Sequence, residues 1–176
     1  MSIRNLSYLF RPKSVVLIDA SSRPNSVGAT VLPNLLISCT GWEPGMLMAI
    51  NPKYTQLQGL PVYPDVASLP FAPDLAVIAT PPATIPGCVS ELGAKGTRAA
   101  VVLSAGMGAD HGDGRSHRQA MLDAARPYVL RVLGPNCVGL ISPHAHVNAS
   151  FAHTDALPGK IAFISQSGAL LTAMLD

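Results

Sequence analysis

Two kinds of segment in this chain have residue types and spacing suited to holding phosphate. The first is Ser165-Gln166-Ser167-Gly168, which follows the apolar run Lys160–Ile164 and precedes another apolar stretch. A strand, a sharp turn and a helix opening Ser-x-Ser-Gly bring together backbone N–H groups, hydroxyls and the positive end of a helix dipole. That combination suits a dianionic phosphoryl group, although an ordinary serine N-cap uses the same residues. A hydrolase nucleophile elbow would need G-x-S-x-G, and here Ser165 and Ala169 stand at the glycine positions, so an esterase is excluded.

The second kind follows each of four apolar runs. Ala20–Gly28 (ASSRPNSVG), Asn51–Lys53 (NPK), Thr80–Pro82 (TPP) and Ser104–Gly106 (SAG) are small and polar. In an open parallel sheet, ligands sit beyond the carboxyl ends of the strands, so these segments predict a crevice whose backbone N–H groups face a ligand. A dinucleotide would want G-x-G-x-x-G after the first strand and a carboxylate about 20 residues later. The glycine pattern is absent, and the second strand ends in Asn51-Pro52-Lys53. Lys53 suits a phosphate near a ribose, so a phosphorylated adenosine ligand is preferred over NAD. Equally, a lysine on a loop is often only solvated.

The remaining candidates read as structural. His144 and His146 form an H-x-H pair without further ligands nearby, which predicts a surface loop rather than a metal site. Asp110, His111 and Asp113 lie among glycines and read as a solvated loop. Cys39, Cys88 and Cys137 are odd in number and lack C-x-x-C spacing, which reads as reduced thiols in a cytoplasmic protein. Cys137 reads as a small buried residue.

These segments need a scaffold, and composition points to one. Of 176 residues, 48% are hydrophobic and only 12% charged, which suits a parallel sheet covered on both faces. The net charge of +2 gives no sign of nucleic-acid binding. The polar start, Met1–Lys13, predicts no signal peptide, and no 18-residue apolar run predicts a membrane helix.

Strands are expected at Ser14–Asp19, Gly45–Ile50, Asp74–Thr80, Ala99–Leu103 and Val129–Leu133. Helices are expected at Val27–Ser38, with Pro33 as a source of strain or a kink, and at Thr84–Lys95, with Gly96 stopping it in positive φ. A third helix, Ser116–Arg126, opens on an S-x-x-Q capping box. Tyr54–Pro73 reads as a surface excursion, and Ser104–Arg115 as a mobile loop. Alternation of strands and helices gives an α/β, Rossmann-like, doubly wound parallel sheet over residues 1–141. Residues 142–158 read as a linker or hairpin. Residues 159–176 read as the first strand and helix of a second, truncated domain, with the chain ending inside that helix.

Eight blocks then carry a resemblance. They are PKSVVLIDASSRPNSVG (Pro12–Gly28), NPKY (Asn51–Tyr54), YPDVASLP (Tyr63–Pro70), DLAVIATPPATIP (Asp74–Pro86), AAVVLSAG (Ala99–Gly106), LRVLGPNCVGLISP (Leu130–Pro143), NASF (Asn148–Phe151) and GKIAFISQSGAL (Gly159–Leu170). In this order they resemble the alpha-type segment of ADP-forming acetyl-CoA synthetases, relatives of succinyl-CoA synthetase. A similar segment precedes the acetyltransferase domain of some bacterial protein lysine acetyltransferases.

The resemblance implies a Rossmann-like coenzyme A-binding domain followed by the start of a flavodoxin-like one. It implies that coenzyme A contacts Ser21, Ser22, Arg23, Ser26, Val27, Gly28, Asn51, Pro52, Lys53, Thr80, Pro81, Pro82, Ser104, Ala105 and Gly106. It implies a phosphoryl group near Asn136, Ser165, Gln166, Ser167 and Gly168, with Cys137 on the same loop. The implied reaction joins acid, coenzyme A and ATP into acyl-CoA, ADP and phosphate through a phosphohistidine beyond Asp176. None of His111, His117, His144, His146 or His153 matches that histidine. ATP, ADP and magnesium, and an ATP-grasp partner, would belong to the parent protein. The alternative is a degenerate module that senses coenzyme A or its esters and regulates an attached acetyltransferase. One departure stands out: Asp19 occupies a place where this family usually has glycine, and its charge would face the incoming pyrophosphate unless Arg23 offsets it or the side chain turns to cap the loop.

Overall fold

The computed structural model describes residues 3–175. Met1, Ser2 and Asp176, at the margins of the expected first and last segments, lie outside the described residues. Seven strands form one sheet in the order β3-β4-β2-β1-β5-β6-β7. They are β1 (Val15–Ile18), β2 (Leu47–Ile50), β3 (Gln56–Leu57), β4 (Leu60–Tyr63), β5 (Leu75–Ile78), β6 (Ala99–Val102) and β7 (Arg131–Leu133). All neighbours run parallel except β3 and β4. Helices α1 (Leu6–Phe10), α2 (Val27–Ser38), α3 (Ile85–Lys95) and α4 (His117–Ala125) complete the Rossmann-like arrangement.

The register follows from apolar runs that are buried on both faces. Val15, Leu17 and Ala49 share one core with Val31, Leu32 and Leu35 of α2. Val16, Ile18 and Met48 share the other with Ile85, Val89 and Leu92 of α3 and Met121 of α4. Alternate residues of one strand thus serve opposite faces, which is why the strands show no polar alternation. Helix α2 runs unbroken through Pro33. Burial of Val31, Leu32 and Leu35, at about 1.5–3 kcal/mol each, outweighs the ~3 kcal/mol that an interior proline costs. Gly96 ends α3 at φ 120°, as expected.

Three expectations are corrected. Tyr54–Pro73 is not merely a surface excursion, since β4 inside it extends the sheet through Ala49↔Val62 and Ile50↔Tyr63. Pro61 hid this strand, because a proline argues against a strand interior; it stands where β4 meets the edge strand β3, opposite Gln56. The hairpin begins earlier than residue 142: β8 (Gly139–Ser142) pairs antiparallel with β9 (Val147–Ser150). Its β9 packs on α2, where Asn34 Nδ2 donates to the carbonyls of Ser150 and Ala152. Finally, Lys160–Ile164 forms no strand. It has no ladder partner among the described residues, and Ile161 and Ile164 remain 94% and 89% exposed. An apolar pattern specifies a strand only where a neighbour supplies the other half of its hydrogen bonds. The helix after it does form, as α5 (Gly168–Ala173).

The α4 cap is half of the expected box. Ser116 Oγ accepts from Gln119 N at 3.2 Å. The Gln119 side chain does not reach back; its Nε2 donates to Asp123 Oδ1 at 2.9 Å. Ser116→Ala is therefore expected to cost about 1 kcal/mol, lowering the thermal midpoint by about 2–4 °C. Gln119→Ala should cost only a few tenths of a kcal/mol. Equal losses in differential scanning calorimetry would contradict this division of roles.

Candidate functional site: the crevice at the carboxyl edge of the sheet

Strand order reverses between β1 and β5. The chain moves outward from β1 to β2 and β4, then returns to β5 on the other side of β1. This switch point opens a crevice where two loops diverge. A cleft of about 350 Å³ lies there, bounded by Asp19, Asn51, Pro52, Thr80 and Pro81 from the strand ends. Thr84, Gly87, Cys88 and Glu91 close it from α3 and the single 3-10 turn before it. Those four were not expected, yet their spacing of three, one and three residues marks one helical face and could have revealed them.

The loop after β1 is held by its own serines. Ser21 Oγ accepts from Arg23 N at 3.0 Å, and Ser26 Oγ donates to Arg23 O at 2.8 Å. Ser26 also caps α2 by accepting from Ala29 N at 3.3 Å. The amides of Val27 and Gly28 stand ahead of that capped group, at the positive end of a 12-residue helix. Gly28 is required by contact: a Cβ there would lie 2.1 Å from the Asp19 carbonyl oxygen. The N-terminus of α2 is thereby pressed against the end of β1, as a helix must be to present its dipole at the crevice.

Asn51 is buried and fully engaged. Its Nδ2 donates to Asp19 Oδ1 at 3.0 Å and to Ala20 O at 2.8 Å, and its Oδ1 accepts from Lys53 N at 2.9 Å. Its amide therefore ties the ends of β1 and β2 together. Lys53 is held by its backbone, with its side chain exposed. Ser22 Oγ donates to Tyr54 Oη at 3.3 Å, joining the first loop to the second. Hydrogen bonds from Ser22 and Ser21 hold the Tyr54 phenol below its ordinary pKa.

On the other side, Ser104 Oγ donates to Thr80 O at 2.6 Å, and Asn136 N donates to Ser104 O at 3.0 Å. Gly106 adopts φ 80° and packs toward Pro82. The Thr80 hydroxyl is buried without a hydrogen-bond partner among the described residues. An orphaned polar atom beside an open crevice is fitted to receive one from a ligand.

Asp19 itself is half-buried at φ 68°, a left-handed conformation that glycine adopts most readily and aspartate tolerates. Asp19 borders the cleft, and its Oδ1 accepts from Asn51 Nδ2 instead of capping the following loop. Burial raises its pKa, while the charges of Arg23 and Lys53 pull it down.

The Ser165–Gly168 turn sits apart from the cleft. Ser165 Oγ accepts from Ser167 N and donates to Ser167 O, and Ser167 caps α5 by accepting from Leu170 N. A Cβ on Gly168 would lie 2.9 Å from Val138, so α5 begins beside the loop that carries Asn136 and Cys137. Asn136 is exposed at φ 56°. Cys137 Sγ lies 3.4 Å from Val102 O. All three thiols are free, and burial pushes Cys39 up to about 11 and Cys88 to about 12, which keeps both inert as nucleophiles. Among the described residues no helix is long and apolar enough to cross a membrane.

Comparison with known proteins gives this geometry a family. The pattern of the family described as CoA binding domain matches residues 13–143. Acetate–CoA ligase (ADP-forming) I of Archaeoglobus fulgidus is 38% identical over 168 residues, covering 96% of this chain and 24% of that protein. The alpha subunit of acetate–CoA ligase (ADP-forming) I of Pyrococcus furiosus is 37% identical, covering 97% of this chain and 37% of the subunit. The chain therefore spans between about a quarter and two fifths of these relatives. The dinucleotide-forming acetyl-coenzyme A synthetase 1 of Ca. Korarchaeum cryptofilum, solved with phosphate and ADP, superposes with a TM-score of 0.84 at 36% identity. That match covers 97% of this chain and 36% of the solved one.

Proposed function

This chain belongs to the CoA binding domain family, and from that premise we propose that its crevice holds coenzyme A as the cofactor-binding part of an ADP-forming acid–CoA ligase. The observation that carries the reading is Gly28, whose missing side chain lets the α2 N-terminus reach the end of β1 at the switch point. The Val27 and Gly28 amides would meet the diphosphate, Lys53 the 3′-phosphate, and the Thr80 hydroxyl a polar group of the pantetheine arm or phosphate. Ser21, Ser22 and Arg23 would frame the first loop, with Pro81, Pro82, Ser104, Ala105 and Gly106 along the far wall. Asn51 would act through Asp19 and Lys53, since its own amide is spent on the protein.

The full reaction is proposed for the parent protein: acid, coenzyme A and ATP giving acyl-CoA, ADP and phosphate, in the cytoplasm. A phosphorylated histidine and an ATP-grasp segment would come from outside this chain, and this chain alone would bind coenzyme A without turnover. The Ser165–Gly168 turn, with Asn136 nearby, would receive the phosphoryl group. The exposed apolar run Lys160–Ile164 would gain strand neighbours there, as the opening strand of a second domain. The relatives named above are ligases and a synthetase, so the acetyltransferase alternative gains no support from them.

Calorimetric titration of this chain with coenzyme A, dephospho-coenzyme A and NAD tests the reading. Coenzyme A should bind most tightly and NAD should not compete; tighter binding of NAD would overturn it. Lys53→Ala is expected to weaken coenzyme A by about tenfold, the value of one partly solvated charge-assisted hydrogen bond. Dephospho-coenzyme A should be unaffected by that change. Equal weakening of both ligands would remove Lys53 from the 3′-phosphate.

A further inference from the structure

The loop after β6 brings two imidazoles together away from the crevice. Ala109 O accepts from His117 N at 2.9 Å, Met107 O accepts from Arg118 N at 2.8 Å, and Asp110 bridges to Ser116. This folds the loop back over the first turn of α4. Asp110 Oδ1 accepts from the amides of Gly112 and Gly114, and Arg115 joins Asp113 to Asp123. The loop is thus internally braced, and the bracing sets His111 against His117. Their Nδ1 atoms lie 3.0 Å apart, with ring centroids at 5.2 Å and planes at 84°. His117 is buried at 8% exposure, while His111 is half-buried.

We propose that His111 and His117 chelate a divalent transition metal ion, such as zinc, nickel or copper, through their two Nδ1 atoms. Two imidazole nitrogens at about 2.0–2.1 Å from one metal lie about 2.9 Å apart at a right angle and about 3.3 Å apart at the tetrahedral angle. The observed separation falls between these values, so the two nitrogens already stand at a chelating distance. Imidazole is a borderline ligand, suited to zinc, copper and nickel rather than to magnesium or calcium. As at His144 and His146, no third His, Cys, Asp or Glu joins the pair among the described residues; what sets this pair apart is the 3.0 Å approach of its two Nδ1 atoms, and water would fill the remaining positions and leave the ion exchangeable.

The proton balance is simple. In the free pair one Nδ1 carries a proton and donates it to the other. Metal binding requires both lone pairs, so that proton leaves Nδ1 and the ring takes up its Nε2–H tautomer, with no net release from two neutral rings. Bound metal would clasp residues 111 and 117 and fix the loop that begins at Ser104–Gly106.

The test uses the full chain without an affinity tag, titrated with zinc chloride and separately with nickel chloride. Binding is followed by calorimetry and by the ¹⁵N shifts of the imidazoles. One saturable site should appear, with both Nδ1 resonances of His111 and His117 shifting and both Nε2 atoms protonated in the bound state, one of them newly so. His111→Ala should weaken the metal by more than about tenfold, since even loss of an outer-sphere partner costs that much. His117→Ala provides the second variant, with folding of each checked by circular dichroism. His144→Ala, in the hairpin turn where His144 Nε2 meets Gly159 O, should leave binding intact. Absence of a saturable site, coordination through Nε2, or a site that survives His111→Ala would overturn the assignment.

Discussion

Gly28→Ala is expected to destabilise the chain by about 3 kcal/mol, the upper part of the usual range for overpacking, and to abolish measurable coenzyme A binding. The new Cβ would stand 2.1 Å from Asp19 O, 3.1 Å from Asp19 C and 3.4 Å from Ala20 Cα. All three are backbone atoms, so no rotamer change relieves the contact. Either α2 moves outward or the end of β1 deforms. Outward movement forfeits packing of Val31, Leu32 and Leu35 against β1, and deformation breaks the bond of Asn51 Nδ2 to Ala20 O. Both withdraw the helix N-terminus from the crevice. At the scale of this chain, about 3 kcal/mol lowers the thermal midpoint by about 6–12 °C. Gly87→Ala is the control for stability alone, since Gly87 also lines the cleft. It lies in α3 with nothing within 4 Å of its would-be Cβ, so it should be neutral or stabilise by up to about 1 kcal/mol through helix propensity. A Gly28→Ala chain with unchanged midpoint and affinity would refute the close seating of α2 on β1.

Gly28 and Asn51 show what sequence can and cannot convey. The central strands β1, β2, β5 and β6 were readable because their apolar runs are buried on both sides, and burial of that kind leaves an unbroken hydrophobic signature; β7, half-buried throughout, was readable as a short apolar run alone. Gly28 was readable as part of a loop-to-helix transition, but not as a steric necessity, since the neighbour it must clear is a carbonyl fixed by the fold. Asn51 resembled a ligand-facing polar residue. Its role as the knot between two strand ends depends on contacts across 31 and 32 residues. β4 was hidden by Pro61, and Lys160–Ile164 showed a strand pattern that finds no partner here. In both cases tertiary pairing, and not the local signal, decided the outcome. The His111–His117 contact was also beyond reach, because six residues of loop give no periodicity from which to place two rings.

Asp19→Gly should tighten coenzyme A binding by between ten- and a hundredfold. A carboxylate about 5 Å from one phosphate charge costs roughly 3 kcal/mol at an effective dielectric near 20, about two decades in affinity. Asp19 is only half-buried, and Arg23 and Lys53 act against it, so screening brings the expectation below that limit. Glycine also relieves the left-handed φ of 68°, which separates into a second arm. Asp19→Asn keeps the side chain's shape and the bond from Asn51 Nδ2 while removing the charge, so it should retain most of the gain in affinity. Burial raises the Asp19 pKa, so folding favours the neutral form relative to the unfolded chain. The stability this contributes is present at acid pH and is lost as pH rises through the raised pKa of Asp19. Coenzyme A affinity of the unaltered chain should likewise fall across that window as Asp19 ionises. Asp65 and Glu91 also border the cleft, with Cys88 beside them, but Asp65 is held below the ordinary range by Ser68 and titrates lower. The informative quantity is the difference between the unaltered chain and Asp19→Asn at each pH. If that difference is flat and both substitutions leave affinity unchanged, Asp19 does not face the diphosphate, and its position in the crevice serves only the junction with Asn51.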